Sequence, residues 1–204
     1  MKPGERRDHI LQTLAAMLEQ PMAEKTTTAN LARHLGLSEA ALYRHFASKA
    51  QMFEGLIAFI EETLFGRINR ILAERTGGLA QVEAILSLLL GFSEKNPGMT
   101  RVLIGDALVN ENERLQMRIN QVHDRIEATL RQSMRLAMAE NELPAVTPAQ
   151  EYANLALCFV IGRWHQFAKS GFRRSPLAGW EQAWQLLHHA PASTVMPAFQ
   201  AGHP

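Results

Sequence analysis

The 204-residue sequence contains one cysteine, Cys158, so it cannot form a disulfide within the chain. Such scarcity of cysteine is typical of proteins in a reducing cytosol. A lone thiol in an apolar stretch is usually a core residue, so we expect Cys158 to be buried. The sequence also lacks any apolar run of the roughly 18 residues that a membrane helix needs, and it begins with an amphipathic segment instead of an apolar signal. These absences predict a cytoplasmic protein with no membrane-spanning segment.

The sequence also lacks an excess of charge of either sign, because it contains 21 Lys and Arg residues and 20 Asp and Glu residues, which gives a formal net charge of +1. A nucleic-acid-binding protein with this balance must place a few groups and helix ends against phosphates, since bulk basicity is absent. Hydrophobic residues make up 47% of the chain, which is enough to fill a core. The composition indicates a globular protein and excludes global disorder and fibrous repeats.

Hydrophobic periodicity predicts an all-α fold, because no segment alternates with a period of two for long enough to form a strand. Turn and breaker residues predict a turn at 96–98 and a disordered tail at 190–204. Ser48 and Gln51, three residues later, predict a capping box that opens a long helix. The predicted helices cover residues 5–20, 28–35, 39–46, 49–73, 79–94, one or two segments of 99–139 with a break near 105–112, 149–169 and 177–187.

Residues 27–46 have the pattern of a helix-turn-helix. Thr27 or Thr28 can cap a short helix that ends at Gly36, and Ser38 can cap a second short helix after the turn. In a helix-turn-helix, the second of these helices enters the major groove of DNA. The spacing is equally typical of two capped helices in an ordinary helical bundle, so it leaves both interpretations open.

Lys49 adds a more specific indication. It lies in the first turn of the following helix, where a cation opposes the helix dipole by about 0.3 to 1 kcal/mol unless an anion lies near it. A DNA phosphate would supply that anion. We therefore predict a DNA-binding surface of backbone contacts and base contacts. Its backbone-contacting candidates are Thr28, Tyr43, His45 and Lys49, its base-contacting candidates are Ser38, Glu39, Ala40 and Arg44, and Thr27 belongs to the same surface.

The strings TTANLA from Thr27 and GLSEAALYRHFASK from Gly36 closely resemble the DNA-binding signature of the TetR family. Further strings resemble the nucleoid occlusion factors within that family, and this similarity covers roughly residues 5–188. The resemblance implies a TetR-like fold, with an N-terminal three-helix DNA-binding domain over 1–48 and a C-terminal helical regulatory and dimerisation domain over 49–189. The further strings lie at residues 88–92, 96–98, 118–121 and 125–128.

The resemblance also implies a function. A homodimer would bind palindromic double-stranded DNA on the nucleoid and, when bound, inhibit the assembly of FtsZ, a tubulin-like GTPase, so that no septum forms over the chromosome. The tail of FtsZ would dock on the fourth and fifth helices, at Phe59, Arg67, Leu88, Gly91, Lys95 and Asn96. This group is expected to have arginine at position 95, and lysine keeps the charge but loses the bidentate geometry.

Helical periodicity gives this docking surface independent support. Phe59 lies well away from the core stripe of its helix, while Leu88, Gly91 and Lys95 share a side opposite the core side of theirs. A small residue between an apolar residue and a cation makes a shallow groove suited to an acidic or apolar peptide. The alternative is that both faces are buried within a multi-helix core.

Other residues give weaker indications of function. The spacing of His123 and Glu127 could hold a metal, but a solvated helix pair beside Arg125 is the simpler interpretation, so we assign no metal and no cofactor. Neither a glycine-rich phosphate loop nor a pair of catalytic carboxylates stands out, so no enzymatic activity is expected. Aromatic residues of the last two helices could line a pocket, although in this architecture we expect those helices to pack against their twins in a dimer. They are Trp164, Phe167, Trp180 and Trp184.

A second function remains open from the sequence. The chain would then be a transcriptional repressor that a small molecule releases from its operator. A roomy cavity with convergent polar groups among residues 50–170 would favour the repressor, whereas a filled core beside an exposed groove would favour a protein partner.

Overall fold

The computed structural model describes residues 3–20, 27–109 and 111–188 of the chain, and the predicted disordered tail at 190–204 lies outside them. Across the described residues the secondary structure is helical and contains no strand, which confirms the all-α prediction. None of the described helices is long and apolar enough to cross a membrane. The helices are α1 (Pro3–Glu19), α2 (Thr28–His34), α3 (Glu39–Tyr43), α4 (Lys49–Glu74), α5 (Gly78–Lys95), α6 (Pro97–Leu103), a 3-10 helix (Asp106–Leu108), α7 (Glu113–Ala139), α8 (Ala149–Lys169) and α9 (Trp180–His188).

Capping residues begin α2, α3 and α4 where the sequence predicts them. The side chains of Thr27, Ser38 and Ser48 each accept a hydrogen bond from a backbone N–H of the following first turn, which satisfies a donor that the helix itself leaves free. Gly36 ends α2 with φ of +63°, a left-handed conformation that glycine adopts without strain. The turn between α2 and α3 therefore follows directly from local sequence.

Three elements differ from the sequence predictions. The helix α3 ends at Tyr43 instead of continuing to residue 46. The predicted turn at 96–98 is instead the start of α6, with Pro97 in its first turn. Proline suits this position, because a backbone N–H there would have no hydrogen-bond partner within the helix. The last helix begins at Trp180, directly after Gly179 takes φ of +64°.

Side chains of the N-terminal and C-terminal helices form one continuous hydrophobic core. In the C-terminal part, α7 packs against α4, α5 and α8, while α6 packs against α1 of the N-terminal part. Trp164 of α8 is 0% exposed, and its indole N–H donates a hydrogen bond of 3.2 Å to the carbonyl of Leu89. Trp164, Phe167 and Trp184 are thus buried within their own chain, so the expectation that they face a twin subunit is wrong for these three side chains.

Candidate DNA interface and partner surface

The helix α3 presents a polar side to solvent. Leu42 and Phe46 are only 0% and 1% exposed and hold α3 onto the other N-terminal helices. Exposed residues cover the opposite side of α3, and the large side chain of Tyr43 among them is 43% exposed. A side chain on this face is free to meet the edges of base pairs in a major groove. The exposed positions are Ser38, Glu39, Ala40, Tyr43 and Arg44, which the sequence places in the candidate DNA surface.

Three of the candidate residues form one hydrogen-bonded cluster. The hydroxyl of Thr28 donates to the carboxylate of Glu39 at 2.8 Å, and the hydroxyl of Tyr43 donates to Thr28 Oγ1 at 3.4 Å. These bonds join α2 to α3 and orient the Glu39 carboxylate before any DNA is present. An ionised carboxylate only accepts hydrogen bonds, and among the bases it suits the amino group of cytosine.

Arg7 is a residue that the sequence interpretation misses. Its guanidinium donates a hydrogen bond of 2.9 Å to the carbonyl of His45, and it lies 4.2 Å from the centroid of the Phe46 ring. A cation over an aromatic face is attracted by the ring quadrupole. Arg7 thus ties α1 to the segment that follows α3. Periodicity contains no signal of this contact, because the partners are 38 residues apart.

Lys49 has an ion-pair partner inside the protein. Its ammonium contacts the carboxylate of Glu111, in the connection between α6 and α7, and the two side chains are 33% and 18% exposed. The nearby anion is thus Glu111 of the same chain, in place of the DNA phosphate that the sequence suggests. The partners are 62 residues apart, so no local pattern indicates the pair. Any phosphate bound by Lys49 has to compete with Glu111.

The predicted partner residues of α4 are accessible. Phe59 is 39% exposed, as periodicity predicts, and Arg67 on the same helix is also exposed. A partly exposed aromatic side chain is a common anchor in protein interfaces. The alternative in which this side of α4 is buried in the core is wrong for Phe59.

The corresponding face of α5 is partly covered. Leu88 and Gly91 are half-buried, whereas Lys95 is exposed. A Cβ on Gly91 would lie 3.9 Å from Cδ1 of Leu177, so the segment between α8 and α9 borders this face. The Asn96 amide donates a hydrogen bond of 2.7 Å to the carbonyl of Phe92, which leaves its oxygen for other partners.

His123 and Cys158 are placed differently from expectation. His123 lies 6.1 Å from Trp164 between ring centroids, and burial lowers its pKa below the usual value although the Leu103 carbonyl and Asp124 act in the opposite direction. The interpretation of His123 as half of a solvated pair is wrong, because neighbouring helices cover it. Cys158 is exposed and thus not a core residue, since α8 turns that side outward.

Tyr152 on α8 is also affected by burial, which raises the pKa of its phenol to about 12.

A surface groove of about 380 Å³ lies where α4, α5 and α7 meet. Its lining includes Leu72, Gln81 and Arg125. Gln81 is already engaged by the Ser133 hydroxyl, which donates to it at 2.9 Å, and by the Arg75 carbonyl, which accepts from it at 3.1 Å. The side-chain amide of Gln81 and the hydroxyl of Ser133 are thus already engaged by protein partners.

Family comparisons cover both parts of the chain. The family model described as bacterial regulatory proteins of the tetR family matches residues 10–56. The SlmA-like model, described as a tetracyclin repressor-like C-terminal domain, matches residues 76–190. The two matches together span most of the chain, with the first including α2 and α3.

Solved structures share the fold at low sequence identity. A TetR transcription regulator from Haloarcula marismortui matches with a TM-score of 0.77 at 17% identity, covering 92% of this chain and 98% of that one. The MbdR regulator from Azoarcus sp. CIB also has a TM-score of 0.77, at 14% identity, covering 91% of this chain and 98% of that one. At these identities the likeness establishes the TetR-like fold alone.

Curated relatives are much more similar in sequence. The nucleoid occlusion factor SlmA of Marinomonas sp. (strain MWYL1) is 48% identical over 186 residues, covering 91% of this chain and 94% of the relative. That of Alteromonas mediterranea is 48% identical over 184 residues, covering 90% of this chain and 94% of the relative. Both matches extend over nearly the full length of the two chains. The chain therefore belongs to the TetR family of bacterial regulatory proteins and, within it, to the nucleoid occlusion factors of the SlmA type.

Proposed function

We propose that this nucleoid occlusion factor works as a homodimer that binds palindromic DNA through α3 and, in the DNA-bound state, inhibits FtsZ assembly in the cytoplasm near the nucleoid. The observation that carries the proposal is the exposed polar side of α3 above a fully buried Leu42. Two such helices in a two-fold dimer reach grooves about one helical turn of DNA apart, which requires a palindromic site.

Exposed apolar side chains of α8 and α9 support the dimer. Leu155 on α8 is 53% exposed and Leu186 on α9 is 77% exposed. Gly162 lies on α8 with open space where its Cβ would be, which lets a second helix approach closely. Apolar residues on two adjacent helices are suited to a four-helix interface between two subunits.

The candidate residues divide into those suited to base contacts and those suited to phosphate-backbone contacts. Glu39 and Arg44 project from the exposed side of α3 and are the base-reading candidates, with Ser38 and Ala40 beside them. Thr27, Thr28, Tyr43, His45 and Lys49 are the candidates for the phosphate backbone. Contacts of the first kind discriminate sequences, while contacts of the second kind hold the register and make affinity depend on salt.

Replacing Lys49 and Glu111 tests the backbone role of Lys49. Lys49→Ala is expected to weaken binding to all DNA sequences about tenfold and to reduce the salt slope by about 2, because each subunit of the dimer loses one phosphate contact. Glu111→Gln is expected to strengthen binding about threefold by freeing the ammonium. Fluorescence anisotropy with specific and random duplexes at several salt concentrations measures both effects.

Glu113→Gln is the matched control for the Lys49 experiment, because it removes the same charge from an exposed position of α7 nearby. In a Lys49→Ala background, Glu111→Gln should have no effect beyond that of Glu113→Gln. Equal gains in both backgrounds would mean that Glu111 repels DNA directly and does not act through Lys49.

Phe59 tests the FtsZ part of the proposal. Phe59→Ala is expected to reduce FtsZ antagonism about 30-fold, or about 2 kcal/mol, since an exposed aromatic anchor of an interface is lost. DNA affinity should not change. Sedimentation of FtsZ polymers with GTP and operator DNA, over a titration of the protein, measures the antagonism.

Met117→Ala is the control for Phe59, because Met117 is 55% exposed on α7 and loses a comparable apolar side chain. Wild-type protein that leaves FtsZ polymers intact at saturating operator DNA would contradict the proposed function itself. Equal antagonism by Phe59→Ala and Met117→Ala would contradict only the assignment of α4.

The alternative function, a repressor released by a small molecule, rests on the groove beside Arg125. Its volume of about 380 Å³ is sufficient for a small ligand. A ligand that enters it would raise the melting temperature and lower DNA affinity together. DNA binding that is insensitive to such ligands, together with FtsZ antagonism, distinguishes the first function from this one.

A further inference from the structure

The segment between α8 and α9, residues 170–179, is a basic connector that neither the fold nor DNA binding explains. Arg173 and Arg174 are exposed on it, and Lys169 precedes it. The guanidinium carbon of Arg101, on α6, lies 5.1 Å from the centroid of the Phe172 ring in this connector. Four cations are thus gathered around one short segment.

The connector lies against α5, next to the face proposed to bind FtsZ. The Ser175 hydroxyl donates a hydrogen bond to the carboxylate of Glu94. Leu177 reaches the face directly, because its Cδ1 lies 3.9 Å from the Cβ position of Gly91. Glu94 adjoins Lys95 in the chain, so the connector and the predicted docking residues of α5 border one another.

The carboxylates of this region are already engaged, while the side chain of Arg174 is not. Glu94 accepts from Ser175, and Asp106 pairs with Lys169 at 2.7 Å. The buried Nε of Arg101 has no hydrogen-bond partner within the described part of the chain. The side chain of Arg174 forms no hydrogen bond or ion pair with any residue that the structure describes. The region therefore presents net positive charge to an incoming molecule.

We propose that the connector is the second wall of the partner groove, with Arg174 binding acidic side chains of a peptide whose apolar residue lies against Leu88 and Leu177. This inference rests on the proposed function and names the chemistry of the segment that docks. An acidic peptide fits better than nucleic acid, because apolar Leu88 and Leu177 border the cations. A phosphate backbone has no use for apolar side chains at this position.

The test uses the full-length protein and a synthetic peptide with the sequence of the FtsZ C-terminal tail. Arg174→Glu is expected to weaken peptide binding about tenfold at low ionic strength and much less at 1 M salt, because an exposed charge pair is screened. Arg174→Lys should retain most of the affinity. Arg135→Glu, which reverses an exposed charge on α7, is the matched control. Anisotropy of labelled peptide and of labelled operator DNA measures both activities of each variant.

The outcomes separate this inference from the proposed function. Tight peptide binding by the wild type that Arg174→Glu and Arg135→Glu weaken equally overturns the role of the connector alone. Absence of peptide binding by the wild type overturns the proposed docking on FtsZ as well. Loss of DNA affinity with unchanged peptide affinity in Arg174→Glu overturns the inference and assigns the connector to nucleic acid.

Discussion

Gly98→Ala is expected to lower the free energy of unfolding by about 3 kcal/mol, the upper part of the usual range for overpacking. A Cβ on Gly98 would overlap the carbonyl oxygen of Ala15 and lie 2.9 Å from its carbonyl carbon. The obstacle is the backbone of α1, which cannot rotate away as a side chain does. Relief requires α6 to separate from α1, and Gly98→Ala is therefore also expected to weaken DNA binding.

Gly66→Ala is the control for Gly98, because its Cβ would meet no atom within 4 Å on the exposed side of α4. Alanine there should stabilise the helix by roughly 0.5 to 1 kcal/mol. Urea unfolding followed by circular dichroism, at one protein concentration, compares the two variants. A Gly98→Ala protein as stable as Gly66→Ala would show that the contact between α1 and α6 is not close in solution.

Trp164→Ala is expected to lower the free energy of unfolding by about 3 to 5 kcal/mol. Trp164 is 0% exposed, so its removal leaves a cavity, and the carbonyl of Leu89 loses the indole N–H. His123, whose ring lies beside the indole, is left facing that cavity. Urea unfolding at constant protein concentration measures the change, because dimerisation makes apparent stability depend on concentration.

Met117→Ala provides the comparison for Trp164, since Met117 is 55% exposed and its loss should change stability by less than about 0.5 kcal/mol. The two positions of Trp164 inferred from sequence and from structure predict different results. A twin interface predicts dimer dissociation in analytical ultracentrifugation with little change in subunit unfolding. A core position predicts a large loss of stability while the folded fraction remains dimeric, and the first result would contradict the structure.

Elements that depend on near neighbours could be predicted from the sequence. The caps at Thr27, Ser38 and Ser48 and the left-handed Gly36 each involve residues only a few positions apart, and each lies where predicted. Periodicity also places Phe59 on an exposed side of α4, because a helix of known period has one core stripe. The error at Pro97 is local as well, since proline suits both a turn and the first turn of a helix.

The parts of the candidate site that could not be predicted are contacts between distant segments. The ion pair of Lys49 with Glu111 and the hydrogen bond from Arg7 to His45 join residues 62 and 38 positions apart. Their formation depends on how α6 and α1 pack, and helical period carries no information on packing partners. The same applies to Trp164, because a periodic stripe has the same pattern whether it faces its own chain or a second subunit.

The amino-acid sequence by itself determined that this chain is helical, that two capped helices meet at Gly36, and that an exposed polar side follows Ser38, because these depend on dihedral preference and period. Only the tertiary structure decided which charges are neutralised, which aromatic residues fill the core, and that residues 170–179 lie beside α5. Those outcomes depend on the relative placement of helices, which many long-range contacts set together and no single segment specifies.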